Sequence, residues 1–359
     1  MRRPLALAAL VVTLPAVAGA QGVRDAAVIV APHSAQYTFG SGAAERTVSQ
    51  SSIPIVIVLP FSERFTMDIA TAFANSDFIT NGGSVSKVSG LTDTQVRANF
   101  SVGSDLVVFT VGLNVPTGQY TISNDQLAVA GQVGNDFLGY PVPSMGNGFA
   151  GTGGIAFARA MGSWNLGAGA SFRKSAEFSA FEQPSGDFRF APADEIRLRL
   201  GLDRPVGDGE VALGVSYSAF GEDVADTTTY SSGDRITVTG TWSFPVRNAS
   251  AFISAWNLFR LAGQQYGGDA PAENIANVNA GFSFDVGRVL IQPNVETRLW
   301  QVDGARAGQL VNLGTRARIG AGAFSFYPAA GYTLGKIYDD AGASEDLTGY
   351  RFSLTIRFH

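Results

Sequence analysis

The chain has 359 residues, with 43 glycines, no cysteine, two histidines and a formal net charge of −5. The acidic balance argues against a nucleic-acid partner. The missing cysteines exclude a disulfide framework, a thiolate metal site and a lipid anchor on cysteine. Charged residues make up only 15% of the chain and aromatics 11%, a composition that suits strands whose apolar face meets hydrocarbon or, alternatively, a protein core.

The chain starts MRRPLALAALVVTLPAVAGAQG, with Arg2 and Arg3 ahead of an apolar run over 5–17 and a small-residue site, Ala18-Gly19-Ala20. This is the layout of a secretory signal peptide over residues 1–20, and the run is too short for a membrane-spanning anchor. Without Arg2 and Arg3, 23 basic residues face 30 acidic ones, a net −7 for the exported chain. Residues 21–33 read as a leader. Within it Ala27–Val30 pairs as a strand, tucks into a lumen as a small plug, or stays a free tail.

From residue 34 onward, segments alternate with the period of two that marks a strand with unlike faces. Segment 34–40 is short and weak, and 47–59 is apolar on both parities. Segments 64–74, 94–102 and 106–115 each carry one apolar face. In 152–160 the outward face stays open, because Arg159 shares a parity with Ile155 and Phe157; 164–173 follows. Cleaner alternation marks 195–204, 210–220, 234–244, 274–286, 288–300, 310–320 and 322–334, and the face of 249–259 stays open. In the last strand, Tyr350, Phe352, Leu354, Ile356 and Phe358 fall on one parity and Arg351, Ser353, Thr355 and Arg357 on the other.

Connections alternate in length. Short ones fall at 60–63, 103–105, 162–163, 205–209, 245–248, 287 and 320–322. Long ones fall at 75–93, 116–151, 174–194, 221–233, 260–273, 301–309 and 335–346. Short periplasmic turns opposite long outer loops are the layout of an outer-membrane barrel. The expected fold is therefore an all-β, transmembrane antiparallel barrel over residues 34–359. Fifteen strands can be counted from residue 47; since such barrels have an even number, the strand at 34–40 makes sixteen, and dropping 47–59 from the wall makes fourteen. Sixteen is preferred.

The inward parity is rich in arginine. Arg316, Arg318 and Arg298 on neighbouring strands are the first candidates for a basic, solute-selecting wall, followed by Arg351, Arg357, Arg197 and Arg199, with Glu296 and Asp285 among the inward acids. Internal salt bridging that merely lets a polar lumen exist is the competing account. The 116–151 connection is too long for a turn and carries Leu127, Val129, Phe137, Leu138 and Tyr140, which suggests a lid or constriction folded toward the lumen. Trp164, Trp242, Trp256 and Trp300 fit interfacial girdles. Catalysis is not expected, since the two histidines lie in the leader and at the terminus, away from any nucleophile. Neither a metal nor a cofactor is expected, and no glycine string leads into the helix a phosphate loop requires.

The last strand resembles the C-terminal signal of bacterial outer-membrane barrels, although His359 follows the aromatic Phe358. The resemblance implies handling by the barrel-assembly machinery. Residues 89–118, SGLTDTQVRANFSVGSDLVVFTVGLNVPTG, with their Gly-Leu-x-Asp-Thr strand start and Pro-Thr-Gly strand end, resemble outer-membrane transporters of the phenol-degradation meta-pathway group, which are similar to FadL-type channels. VLPFSERFTMDIATAF and GNGFAGTGGIAFARAMGSWNLGAGASFR resemble the same group's flanking hairpins, so the likeness covers about 53–173. It implies passage of small apolar or aromatic compounds across an outer membrane. A general porin-like aqueous pore and a non-transport, surface-binding barrel are the alternatives.

Overall fold

The computed structural model describes residues 26–103, 106–183, 186–339 and 341–358. The signal-peptide segment 1–20, the start of the leader, Ser104, Asp105 and His359 lie outside the described residues.

Sixteen antiparallel strands form one closed barrel. Strand β1 comprises Ala27–Val30 and His33–Phe39, one line interrupted at Pro32, which has no N–H to give the ladder. It is followed by β2 (Arg46–Ser62), β3 (Phe65–Thr80) and β4, which comprises Val85–Leu91 and Thr94–Val102. The ring continues with β5 (Val107–Val115), β6 (Ala150–Met161), β7 (Trp164–Ser175), β8 (Glu195–Val206), β9 (Gly209–Phe220) and β10 (Arg235–Val246). It is completed by β11 (Ala249–Arg260), β12 (Glu273–Val286), β13 (Val289–Val302), β14 (Ala305–Ala321), β15 (Phe324–Tyr338) and β16 (Ser344–Phe358). Closure is made by β1, which sits between β16 and β2: Val28 lies opposite Phe358 and Ile57, and Tyr37 opposite Gly349 and Val48. Among the described residues the barrel wall has no open edge, the condition for backbone in hydrocarbon.

The wall therefore starts at Ala27 rather than at residue 34. Of the readings of the leader, the strand is the one adopted, and His33 belongs to the wall, opposite Ser52 and Ser353. The pairing explains why β2 is apolar on both parities. Ile53 is exposed on the outside, while Val56 and Val58 on the other face meet Ile29 and Ala27.

Elsewhere the apolar parity points outward: Leu200, Leu313 and Phe352 are 59%, 55% and 53% exposed. A soluble sheet would bury such side chains. Among the open faces, Ile155 and Phe157 are exposed, so β6 turns Arg159 outward with them at its turn-side end. In β11, Ile253 is exposed, which directs Phe252, Trp256 and Leu258 to the lumen.

Three of the expected long loops are corrected. Residues 75–93 form a hairpin of β3 with β4, and 301–309 one of β13 with β14, closing at Asp303-Gly304; 335–346 is mostly β15 and β16. The hydrogen-bonded ladder continues there beyond the apolar belt, where the lipid-facing signal stops. The remaining outer connections are structured. Phe178–Gln183, Gly186–Ala191, Glu222–Ala225 and Thr228–Ser231 form a four-stranded sheet above the β7–β10 rim, and Gly263–Gln265 pairs with Gly268–Ala270. The 116–149 connection carries the helix α1 (Leu127–Val133).

Candidate functional site

The main buried apolar cluster lies inside the barrel. It joins Tyr37, Phe39 and Val48 of the wall to Val129, Val133, Phe137, Leu138 and Tyr140 of the 116–149 loop. A segment with that many apolar side chains has a strong reason to leave water, and in an outer loop the lumen is the nearest shelter. Four of the five residues singled out in the sequence are buried there: Val129, Phe137, Leu138 and Tyr140. Leu127 is the exception; it is 42% exposed on the far side of α1.

Hydrogen bonds to the loop backbone fix this plug. Tyr37 Oη donates to Leu138 O at 3.0 Å, and Arg351 Nη2 donates to the same oxygen at 3.2 Å. Arg298 Nη1 donates to Phe137 O at 2.5 Å. Further along, Gln50 brackets Val142, accepting from its N–H at 3.0 Å and donating to its carbonyl at 2.7 Å. Tyr140 Oη donates to Val48 O at 2.9 Å, and burial together with the adjacent Tyr37 hydroxyl pushes its phenol well above the ordinary value, so it stays a neutral donor.

The two arginines share one acid. Glu296 Oε1 lies 2.6 Å from Arg298 Nη2, and Oε2 lies 4.0 Å from Arg351 Nη1. Two cations over one carboxylate leave positive charge unbalanced, and the carbonyls of Phe137 and Leu138 supply the remaining acceptors. Arg298 also lies 5.3 Å from the centre of the Trp256 ring, and Phe137 stacks on Trp300 at 5.4 Å. Trp256 and Trp300 are thus lumen residues; the girdle reading fails for them because their parity is inward. Trp164 and Trp242 are exposed near the short turns, as a girdle requires.

Two glycines admit this packing. A Cβ on Gly139, where φ is +65°, would stand 2.8 Å from Arg298 Nη1; one on Gly308 would stand 2.9 Å from the Phe137 ring.

The neck of the plug is held by Asp93, a residue the sequence reading left inside an outer loop. Its Oδ1 accepts from Gly118 N at 3.1 Å; its Oδ2 accepts from Asn147 N at 2.7 Å and from Asn114 Nδ2 at 2.8 Å. One buried carboxylate therefore ties both ends of the loop to the break in β4. The signal was present as the Asp of the Gly-Leu-x-Asp-Thr string, but spacing alone does not tell a staple from a turn. Asp93→Ala leaves two backbone donors unpaired at about 1–3 kcal/mol each. Limited proteolysis in detergent should then cut the 116–149 loop much faster, with Asp93→Asn intermediate. Equal cleavage rates would remove the staple.

The other predicted lumen residues are dispersed. Arg316 reaches Gln292 at 3.0 and 2.9 Å, several rows below Arg298, which lies opposite Leu310. Arg318 and Asp285 flank Leu290 in the register, and with Arg357 they lie nearer the short-turn end. The expected grouping of Arg298 with Arg316 and Arg318 is corrected: adjacent strands place them at different depths, and of the predicted lumen residues Arg298 and Arg351 bond to the plug, with Glu296 between them. Arg197 and Arg199 stand across the barrel on β8.

The plug packs on one side only. Its apolar wall contacts come from β11 to β16, β1, β2 and the outer parts of β3 and β4. The wall it leaves uncovered, the deeper parts of β3 and β4 together with β5 to β8, lines a polar cavity of about 390 Å³. Above the plug, between α1, residues 142–146 and the outer four-stranded sheet, lies a second cavity of about 370 Å³. Its walls include Tyr120, Phe178, Phe181, Phe188, Tyr230 and Tyr266, with no charged side chain among the described residues. Ring pairs hold it: Phe178 with Tyr120 at 5.9 Å, Phe181 with Phe188 at 5.3 Å, and Phe188 with Tyr266 at 5.1 Å. The sequence reading missed this site because its strands are only four to six residues long and lie in segments read as loops.

No protein-family model matches the chain, and no curated protein sequence matches it. Solved structures of similar fold include OprB of Pseudomonas putida, with a TM-score of 0.53, 12% identity, and 92% of this chain and 94% of that one covered. A bacterial polysaccharide outer-membrane secretin aligns with a TM-score of 0.50 at 9% identity, covering 93% and 98% of the two chains. At such identities the likeness is one of architecture, and the chain has the fold of outer-membrane β-barrel proteins.

Proposed function

We propose that this barrel is a channel of the bacterial outer membrane, reached after export and insertion through its C-terminal strand, and that it admits small apolar or aromatic compounds. The observation that carries the reading is the aromatic-walled cavity at the outer mouth, which has no charged side chain among the described residues and is set on top of a plug that fills much of the lumen. Apolar pockets with few polar groups are the usual form of small-molecule sites, and about 370 Å³ accommodates a one- or two-ring compound. The solute would be captured from the outside, then released past the plug.

Calorimetric titration of the detergent-solubilised protein with toluene is expected to show saturable binding. Phe188→Ser removes the ring shared by two aromatic pairs and should weaken binding about tenfold, equal to about 1.4 kcal/mol. No saturable binding, or identical binding by the variant, would count against the reading. The polar cavity along β3 to β8 favours a second reading, a narrow aqueous pore, for which steady ionic conductance of the unaltered protein would be the sign.

A further inference from the structure

The passage that the plug leaves uncovered is unevenly charged. On the inner faces of β7 and β8, three successive rows pair Arg173 with Glu195, Ser171 with Arg197 and Gly169 with Arg199. Arg197 is satisfied: its Nη2 lies 2.6 Å from Glu195 Oε1, and its Nε donates to Ser218 at 3.0 Å. On β4, Arg97 is satisfied by Asp68 at 3.1 Å. Arg173 and Arg199 have no acid, hydrogen-bond or ring partner among the described residues, yet both line the cavity. Four guanidiniums there face two carboxylates, a surplus of two positive charges. Around them the wall is cut back to glycine and alanine at Ala70, Gly112, Gly154, Ala156 and Gly169.

We infer that Arg173 and Arg199 form two anion-binding subsites in series in this passage, and that the solutes of the channel are small organic anions with a carboxylate on an apolar body. The inference rests on the reading of the barrel as an uptake channel and narrows its substrate class. Four residues of strand separate the two rows, about 14 Å at roughly 3.4 Å per residue. They are successive stations, Arg173 toward the outer rim and Arg199 below it. Two moderate sites in series favour both entry and exit, where one deep site would trap the solute. A planar guanidinium takes a carboxylate through two parallel hydrogen bonds. Low-dielectric walls concentrate the unbalanced field and raise local anion concentration. The aromatic mouth cavity sits above the same side of the barrel, since Phe178 follows directly from β7. A ring held there and a carboxylate drawn to Arg173 are the two ends of one solute.

The test is influx of benzoate into proteoliposomes at pH 8, with chloride influx measured in parallel and toluene binding measured as above. Arg173→Gln with Arg199→Gln is expected to lower benzoate influx roughly tenfold or more while toluene binding is unchanged. Arg173→Lys with Arg199→Lys should keep much of the flux, which shows that the barrel still folds. Unchanged benzoate influx in the glutamine pair overturns the subsites. Chloride influx equal to benzoate influx and falling in parallel overturns the organic part of the inference. If toluene fails to bind but the arginine effect persists, the mouth-pocket reading fails and the anion subsites stand.

Discussion

Excision of residues 124–147, with the ends rejoined by a short flexible linker, is expected to turn a barrel that passes little current in planar bilayers into a steadily conducting one. The segment holds α1 and the buried side chains Phe137, Leu138, Tyr140 and Val142. The main buried apolar cluster inside the barrel is built around this segment. Barrels of this strand number leave an aqueous channel once the interior is cleared, so conductance should rise by roughly an order of magnitude. The cost in fold stability is limited, because the wall is closed through β16, β1 and β2 without the loop. The exposed remainder, Tyr37, Phe39, Ile275 and Leu310, would line the new opening. A conductance equal to that of the intact protein would mean that the loop does not set the constriction.

The wall was legible in the sequence because lipid outside and a filled lumen inside impose opposite demands on adjacent residues, and a period of two records them. The record blurred where both faces are apolar. β2 alternates poorly because its inner face carries Val56 and Val58 against Ile29. Trp256 and Trp300 were misassigned for a related reason: residue type suggests the membrane interface, but parity places both rings inside, under the plug. Strand ends beyond the apolar belt were read as loops at 75–93, 301–309 and 335–346, since the lipid-facing signal stops there while hydrogen bonding continues. The plug was legible as an apolar excess in a long connection. Its partners were not, because Tyr37, Gln50, Asp93 and Arg298 come from strands far apart in the chain, and only closure of the ring brings them together. Arginine counts alone could not separate Arg298, which holds the plug, from Arg173, which faces open space.

The clasp between wall and plug is expected to set how often the lumen opens, and Glu296→Gln should expose this most sharply. Arg298 and Arg351 both lean on this carboxylate, with side chains only 6% and 20% exposed. The carbonyls of Phe137 and Leu138 then remain as their acceptors, and a carbonyl carries a partial charge rather than a full one. Removing one partner of a buried ion pair costs roughly 3 kcal/mol or more. Most of that cost falls on the plugged state, because the arginines regain water when the loop lifts. At about 1.4 kcal/mol per decade, the closed-to-open ratio should fall roughly a hundredfold, read as a rise in open time in single-channel records and as faster proteolysis within 116–149. Glu296→Gln combined with Arg298→Met removes one cation along with the anion and should recover part of the closed population, since an apolar side chain there meets Trp256 and Phe137. If the single variant gates like the unaltered protein, Glu296 is a bystander, and the plug is held by packing and by the hydrogen bonds of Tyr37, Tyr140, Gln50 and Asp93.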